Sequence, residues 1–224
     1  MFFEDMGITY LGPIPGHNLP MLCKALKEAK KVEGPVLLHV MTTKGKGYEP
    51  AETAPDKFHG IGPFDIESGK VLAKKDGDTY TDVFGKVLCD EASRNPDIVA
   101  ITAAMADGTG LARFKKHYPN RFFDVGIAEA NMIGIAAGLS AYGYKPIAFT
   151  FAPFATRRVC DQIAVSVAYA KQNVKIVGTD PGITAELNGG THMSFEDVAV
   201  LRSIPNMIIY DAVDDIQLSQ AIEQ

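Results

Sequence analysis

What most restricts the fold of this chain is an unbroken alternation, from Thr79 onward, of apolar segments with helical and strand-like patterning. The spacing predicts helices over 80–93, 110–117, 128–142, 154–170 and 195–203. Strands over 98–102, 121–125, 146–151, 174–179 and 207–210 fall between and after them, and a last helix begins at Asp214. Strands joined through a helix can run parallel, whereas a tight turn only reverses the chain. Parallel sheets are buried on both faces, so the expected fold is α/β, a mostly parallel sheet flanked by helices. Ligands of such sheets sit beyond the carboxyl ends of the strands. That edge collects Glu129, Phe151, Phe154, Thr179 and the loop 180–192.

Two different segments come first. Residues 1–43 read as a strand over 8–14, a helix and a strand over 36–41. The helix is capped by Asn18, carries Pro20 in its first turn and ends at Gly34-Pro35. This unit is too short for a core of its own and reads as the end of a second α/β domain. Residues 44–78 carry recurrent Gly and Pro without any period, which marks a segment that is both a linker and a functional loop. The main α/β domain then spans 79–224.

Charge and composition exclude several classes. The 224 residues have a net charge of −5, with 46% hydrophobic and 22% charged residues, as in an ordinary globular protein. Residues 1–75 hold 10 Lys and Arg against 9 Asp and Glu, and the remainder 12 against 18. Neither part has the basic excess of a nucleic-acid binder. No apolar run is long enough for a bilayer, and the first residues lack the basic and apolar regions of a signal peptide. A cytoplasmic protein with no membrane or nucleic-acid partner is expected. Cys23, Cys89 and Cys160 are far apart and lie in helix-like segments, so reduced, buried thiols are expected.

The chemistry-bearing candidates start with Asp124-Val-Gly-Ile-Ala-Glu129-Ala-Asn131-Met132, where a carboxylate stands at a strand-to-helix junction between apolar runs. Burying an ionised side chain is costly without a partner. A carboxyl group in apolar surroundings can hold its proton and donate a hydrogen bond near neutral pH. The loop Asp180-Pro-Gly-Ile-Thr-Ala-Glu-Leu-Asn188-Gly-Gly-Thr191-His192 has the glycines of a ligand-approaching loop but not the Lys-Ser/Thr ending of a nucleotide P-loop. A histidine so placed is more often structural than catalytic. Phe151 and Phe154 stand three residues apart at a strand end, and Arg157 and Arg158 beside them could clamp a phosphate. His59 is expected to be accessible for acid–base work. Asp76-Gly-Asp78 reads as a turn.

The chain resembles the 1-deoxy-D-xylulose 5-phosphate synthase family, thiamine-diphosphate-dependent relatives of transketolase. The resemblance is carried by Gly12-Pro-Ile-Pro-Gly-His17, Gly34-Pro-Val-Leu-Leu-His-Val40, Lys44-Gly-Lys-Gly-Tyr-Glu-Pro-Ala-Glu52, Asp56-Lys-Phe-His-Gly-Ile-Gly-Pro-Phe-Asp65 and Ala100-Ile-Thr-Ala-Ala-Met105. Beyond Ala128, Glu129-Ala-Asn-Met-Ile-Gly-Ile-Ala-Ala-Gly138 and Phe151-Ala-Pro-Phe-Ala-Thr156 are more similar to the C-terminal subunit of split transketolases.

This resemblance implies a transferase segment that condenses pyruvate with glyceraldehyde 3-phosphate in the supply of isoprenoid, thiamine and pyridoxal precursors. It implies a transketolase-type pyrimidine-binding domain over 79–224, preceded by the end of a diphosphate-binding domain over 1–43 and an active-site loop over 44–78. Glu129 would bond a ring nitrogen of the cofactor's aminopyrimidine, Phe154 would stack on it with Phe151 beside it, and Tyr48 would lie at the cofactor. His59 and His192 would serve proton transfer or substrate contact, and Arg157 and Asn188 would bind substrate. A homodimer is implied, with Mg2+ held by ligands outside this chain and no metal site within it. Asp180-Pro181-Gly182 stands where the synthases have Asp-Arg-Ala-Gly, and Met193 where they have Gln. These departures leave open a transketolase-like ketol transfer between sugar phosphates, or a non-catalytic pyrimidine-binding or dimerisation fragment. The family's Gly-Asp-Gly diphosphate motif would precede Met1 and its third domain would follow Gln224, so this chain alone is expected to be inactive.

Overall fold

The computed structural model describes residues 2–72 and 77–223, apart from the Leu187 side chain. Residues 73–76 of the expected linker, Asp76 of the expected turn and Gln224 of the last helix lie outside the described residues. Two compact units are formed, Met1–Asp76 and Gly77–Gln224.

In the first unit β1 (Thr9–Pro15) pairs in parallel with β2 (Val36–Met41), Thr9 opposite Val36, with a register shift between Leu11 and Ile14. The helix Leu19–Ala29 between them starts as expected, with the Asn18 side chain accepting from the Met21 N–H at 3.1 Å. None of its residues is buried, and neither strand contains a buried residue. Cys23 is accordingly exposed, against the expectation of a buried thiol, while Cys89 is buried and Cys160 half-buried; all three are free.

The segment expected to be irregular has a small core of its own. A short helix, Glu49–Thr53, is followed by a cluster in which the rings of Tyr48, Phe58 and Phe64 lie 5.3–5.9 Å apart. Phe64 and Val71 form an antiparallel bridge, and the Tyr48 hydroxyl donates to the Ile66 carbonyl at 2.8 Å. Glu52 closes the Lys44-Gly-Lys-Gly turn. Its carboxylate accepts from the Gly47 N–H at 2.9 Å and lies 3.5 Å from the Lys46 ammonium. The Gly47 hydrogen bond, with Lys46 adding to it, holds this carboxyl below its usual range.

The second unit is the expected α/β sheet. Strands β3 (Ile98–Thr102), β4 (Phe122–Asp124), β5 (Lys145–Phe151) and β6 (Lys175–Thr179) are all parallel, in the order β4-β3-β5-β6. Every residue of the central β3 is buried, as its uninterrupted apolar run requires. Side chains alternate between two cores. Ile98, Ala100, Ile147 and Phe149 face the helices Tyr80–Arg94 and Leu111–His117, with Leu218 and Ile222 packed against them. Ile101 and Ala148 face Met132, Ile133, Ala136, Val159 and Ile163.

The first of these helices carries a capping box, Thr79 accepting from the Asp82 N–H and Asp82 from the Thr79 N–H. At its other end the Arg121 guanidinium donates to the Ala92 and Asn95 carbonyls and stacks 4.1 Å over Tyr118.

Two sequence expectations are corrected. The helix expected over 154–170 is broken into Ala152–Ala155, a 3-10 turn Arg157–Val159, Cys160–Gln162 and a π-helical stretch Ile163–Tyr169. The strand expected over 207–210 pairs with no strand among the described residues. Asn206 turns the chain at φ +69° and Ile208 is 92% exposed.

The Tyr80–Arg94 helix meets the turn before Leu111 at two glycines. A Cβ on Gly85 would lie 2.5 Å from the Gly110 carbonyl oxygen, and one on Gly110 2.4 Å from the Thr81 carbonyl. Gly85→Ala should therefore lower unfolding stability by about 1–3 kcal/mol, the usual cost of overpacking. Chemical denaturation followed by far-UV circular dichroism measures it; an unchanged midpoint would contradict this packing.

Candidate active site

The Asp124 carboxylate builds the turn that leads to Glu129. Its Oδ1 accepts from the Ala104 N–H at 2.8 Å, beyond the end of β3, and from the Gly126 N–H at 3.0 Å. This fastens the exit of β4 and delivers Glu129 as the first residue of the helix Glu129–Ala141. The helix is anchored by Met132, Ile133 and Ala136, each wholly inaccessible to solvent. Glu129 itself is buried.

The expected burial of Glu129 is observed, together with a partner that sequence reasoning assigned elsewhere. Arg158 donates from Nη1 to Glu129 Oε1 at 2.6 Å. The same guanidinium lies over the Phe154 ring, its central carbon 3.6 Å from the centroid. Phe154, Phe151 and His192 form a triangle of rings with centroids 5.1–5.8 Å apart, each pair edge-to-face. The His192 Nδ1 is 2.9 Å from the Thr191 hydroxyl. Glu129, Phe154, Phe151 and His192 are thus joined into one constellation at the carboxyl ends of the strands, through Arg158.

Arg157 points to a different carboxylate. It donates to Glu196 Oε1 at 2.7 Å and to the Thr191 carbonyl at 3.4 Å. The two adjacent arginines, read together as a phosphate clamp, are in this structure tied to two separate glutamates. Behind them Asp197 accepts from the Thr156 hydroxyl at 2.6 Å and from the Ser194 hydroxyl, pinning the segment after Phe154 to the end of the 180–194 loop. Asp197 escaped the sequence reading, although Ser194-Phe-Glu-Asp197 has helix-start spacing. Asn188 is exposed at the end of the 3-10 turn Glu186–Asn188.

In the first unit Tyr48 is half-buried in its aromatic cluster and His59 is exposed, its backbone N–H donating to the Asp56 carbonyl at 3.3 Å. Among the described residues no group of three or more His, Cys, Asp or Glu could hold a metal ion. No helix of the described residues is long and apolar enough to cross a membrane.

A carboxylate at a helix start, an aromatic face beside it and a parallel sheet behind them can be set against known families. Residues 77–224 match the model of the transketolase pyrimidine-binding domain. The chain belongs to this family. Residues 1–42 match a second model, that of 1-deoxy-D-xylulose-5-phosphate synthase. Among curated relatives, a 1-deoxy-D-xylulose-5-phosphate synthase of Natranaerobius thermophilus is 47% identical over 223 residues, 99% of this chain and 35% of that protein. One of Clostridium acetobutylicum is 50% identical over 209 residues, 93% of this chain and 33% of that protein. The chain thus spans about a third of the length of the curated relatives it matches.

Among solved structures, one described as a split gene transketolase, inactive beta4 tetramer, is 38% identical and superposes with a TM-score of 0.58, covering 66% of this chain and 47% of that one. A transketolase of Campylobacter jejuni, 20% identical, covers 98% of this chain and 44% of that one with a TM-score of 0.57, which speaks to the fold alone.

The pair that fixes the 180–194 loop is sensitive to acid. Glu196 titrates below its ordinary 4.5, first because the Phe195 N–H donates to it and then because Arg157 does. A carboxyl lowered by folding contributes above its unfolded pKa and loses that contribution as pH falls through its folded one. In Arg157→Gln the Glu196 midpoint should rise part of the way back toward 4.5, because the Phe195 N–H remains. A carbon-13 carboxyl titration by NMR reads this directly; an unmoved midpoint would show that Arg157 does not set it.

Proposed function

We propose that this chain supplies the pyrimidine-binding half of a thiamine-diphosphate-dependent transferase, one that condenses pyruvate with glyceraldehyde 3-phosphate. The observation that carries the reading is Glu129, a buried carboxylate at a helix start, linked through one planar cation to the face of Phe154. A flat aminopyrimidine protonated at its ring nitrogen would fit these two residues, because the Arg158 guanidinium, also a flat N–H donor, already makes both contacts. When bound, thiamine diphosphate supplies a carbon nucleophile that attacks a substrate carbonyl.

The protein's own residues do the rest. Glu129 would hold a ring nitrogen and set the protonation of the pyrimidine, Phe154 and Phe151 would orient the ring, and His192 beside them would contact substrate or move a proton. Arg157 is placed to exchange Glu196 for a substrate phosphate, with Asn188 on the same loop. Tyr48 and His59 are proposed as the first unit's contribution to cofactor and proton transfer. Mg2+ would be held with the diphosphate by residues outside this chain. The working form is proposed to be a cytoplasmic homodimer.

A second reading, ketol transfer between sugar phosphates, is favoured by Pro181 and Met193 and by the 38% identity to the split gene transketolase. The description of that relative as an inactive tetramer also suits a piece that works only with further segments.

The deciding experiment is a chimera in which this chain replaces the matched 35% of the Natranaerobius thermophilus relative. It should release carbon dioxide from pyruvate when glyceraldehyde 3-phosphate is supplied. Turnover of ribose 5-phosphate with xylulose 5-phosphate instead would establish the second reading. Glu129→Gln in the chimera should cost about 10²- to 10⁴-fold in kcat with the fold retained; unaltered turnover would remove Glu129 from the mechanism.

A further inference from the structure

We propose that Arg158 is a built-in occupant of the pyrimidine site, which covers Glu129 and Phe154 until a ligand displaces it. The inference rests on the reading of Glu129 and Phe154 as pyrimidine-binding residues.

The geometry is that of a surrogate ligand. One planar, delocalised cation directs an N–H edge to Glu129 Oε1 at 2.6 Å and lays its face on the Phe154 ring at 3.6 Å. An aminopyrimidine bonded to the same carboxylate and stacked on the same ring would present the same two features. The two occupants are therefore mutually exclusive on that face. Phe151 and His192 also border the Phe154 ring, at interplanar angles of 84° and 65°.

The arrangement meets the electrostatic need of Glu129. A buried carboxylate without a cation or donors is costly, and only 7% of the Glu129 side chain is exposed. Arg158 supplies the missing partner from outside, its own side chain 45% exposed. The arginine itself loses little on leaving, because it carries its charge into water on a long, flexible stem, and the cost to Glu129 is met only by an incoming ligand that takes over its contact. The neighbouring Arg157 is directed elsewhere, to Glu196 and the Thr191 carbonyl. Apparent affinity for a ligand falls by the fraction of molecules in which Arg158 has left the site. Arg158 thereby favours ligands that offer both the donor edge and the flat face, since only these replace both lost contacts.

The test uses the 224-residue chain, with thiamine diphosphate and with thiamine as separate probes in isothermal titration calorimetry. Arg158→Gln should bind both more tightly than the unaltered chain, by about three- to tenfold, and Glu129→Gln should weaken both. Arginine labelled with nitrogen-15 gives a second readout on the unaltered chain. Its Arg158 guanidinium signal should move to the position of a solvated arginine as thiamine diphosphate is added. Binding that Glu129→Gln weakens, but that Arg158→Gln leaves unchanged or weakens, overturns the inference and leaves the proposed function standing. An Arg158 signal that stays in place during saturation does the same. Binding indifferent to both Glu129→Gln and Phe154→Leu overturns the proposed function and the inference with it, and no binding in any variant overturns the inference, since nothing then displaces Arg158.

Discussion

A carboxylate taken out of water must be met by a cation or by hydrogen-bond donors, and the second unit is organised around meeting that requirement at Glu129. The Asp124 turn fixes where the helix begins, the small and apolar residues of Met132–Ala137 fix how deeply it seats, and Arg158 closes the charge from a segment 29 residues away. Each part would be unremarkable alone. Together they hold a polar group against an aromatic face, and they do so at the edge where parallel sheets receive ligands. The break in the helix after Ala155 belongs to the same arrangement, since it turns Arg157 and Arg158 toward two different carboxylates.

The regular parts of the fold were legible in the residue pattern for a simple reason. The run Ile98-Val-Ala-Ile-Thr102 is apolar throughout because both of its faces are covered, and a pattern dictated by burial can be read back from the sequence. The Asn18 cap was equally visible, because a cap is a local bargain between neighbours. What could not be read depends on partners distant in sequence. Thr156 ends the Ala152–Ala155 helix while its hydroxyl serves both the Ala152 carbonyl and Asp197, 41 residues on. The apolar run at 207–210 looks like a strand, yet Asn206 turns the chain and Ile208 points to solvent.

The candidate site divides along the same line. Glu129 stood out because a charge between apolar runs is a local anomaly, and Phe151 and Phe154 because aromatics at a strand end are too. The role of Arg158 was hidden, since two adjacent arginines look alike until their partners are known. Residues 44–72 also looked structureless, yet Tyr48, Phe58 and Phe64 gather there around a hydroxyl bonded to Ile66. Gly and Pro spacing marks where a chain turns but not what three well-spaced rings can assemble between the turns.

The paired strands Thr9–Pro15 and Val36–Met41, with their helix, contain no buried residue, whereas Ile98–Thr102 is buried throughout. The cost of opening a segment follows the apolar contact it gives up. The two halves of this chain therefore belong to different rungs of a stability ladder. The first ladder of hydrogen bonds should exchange its amide protons and admit proteases through cheap, local openings. The central sheet should do so only when the whole second unit comes apart.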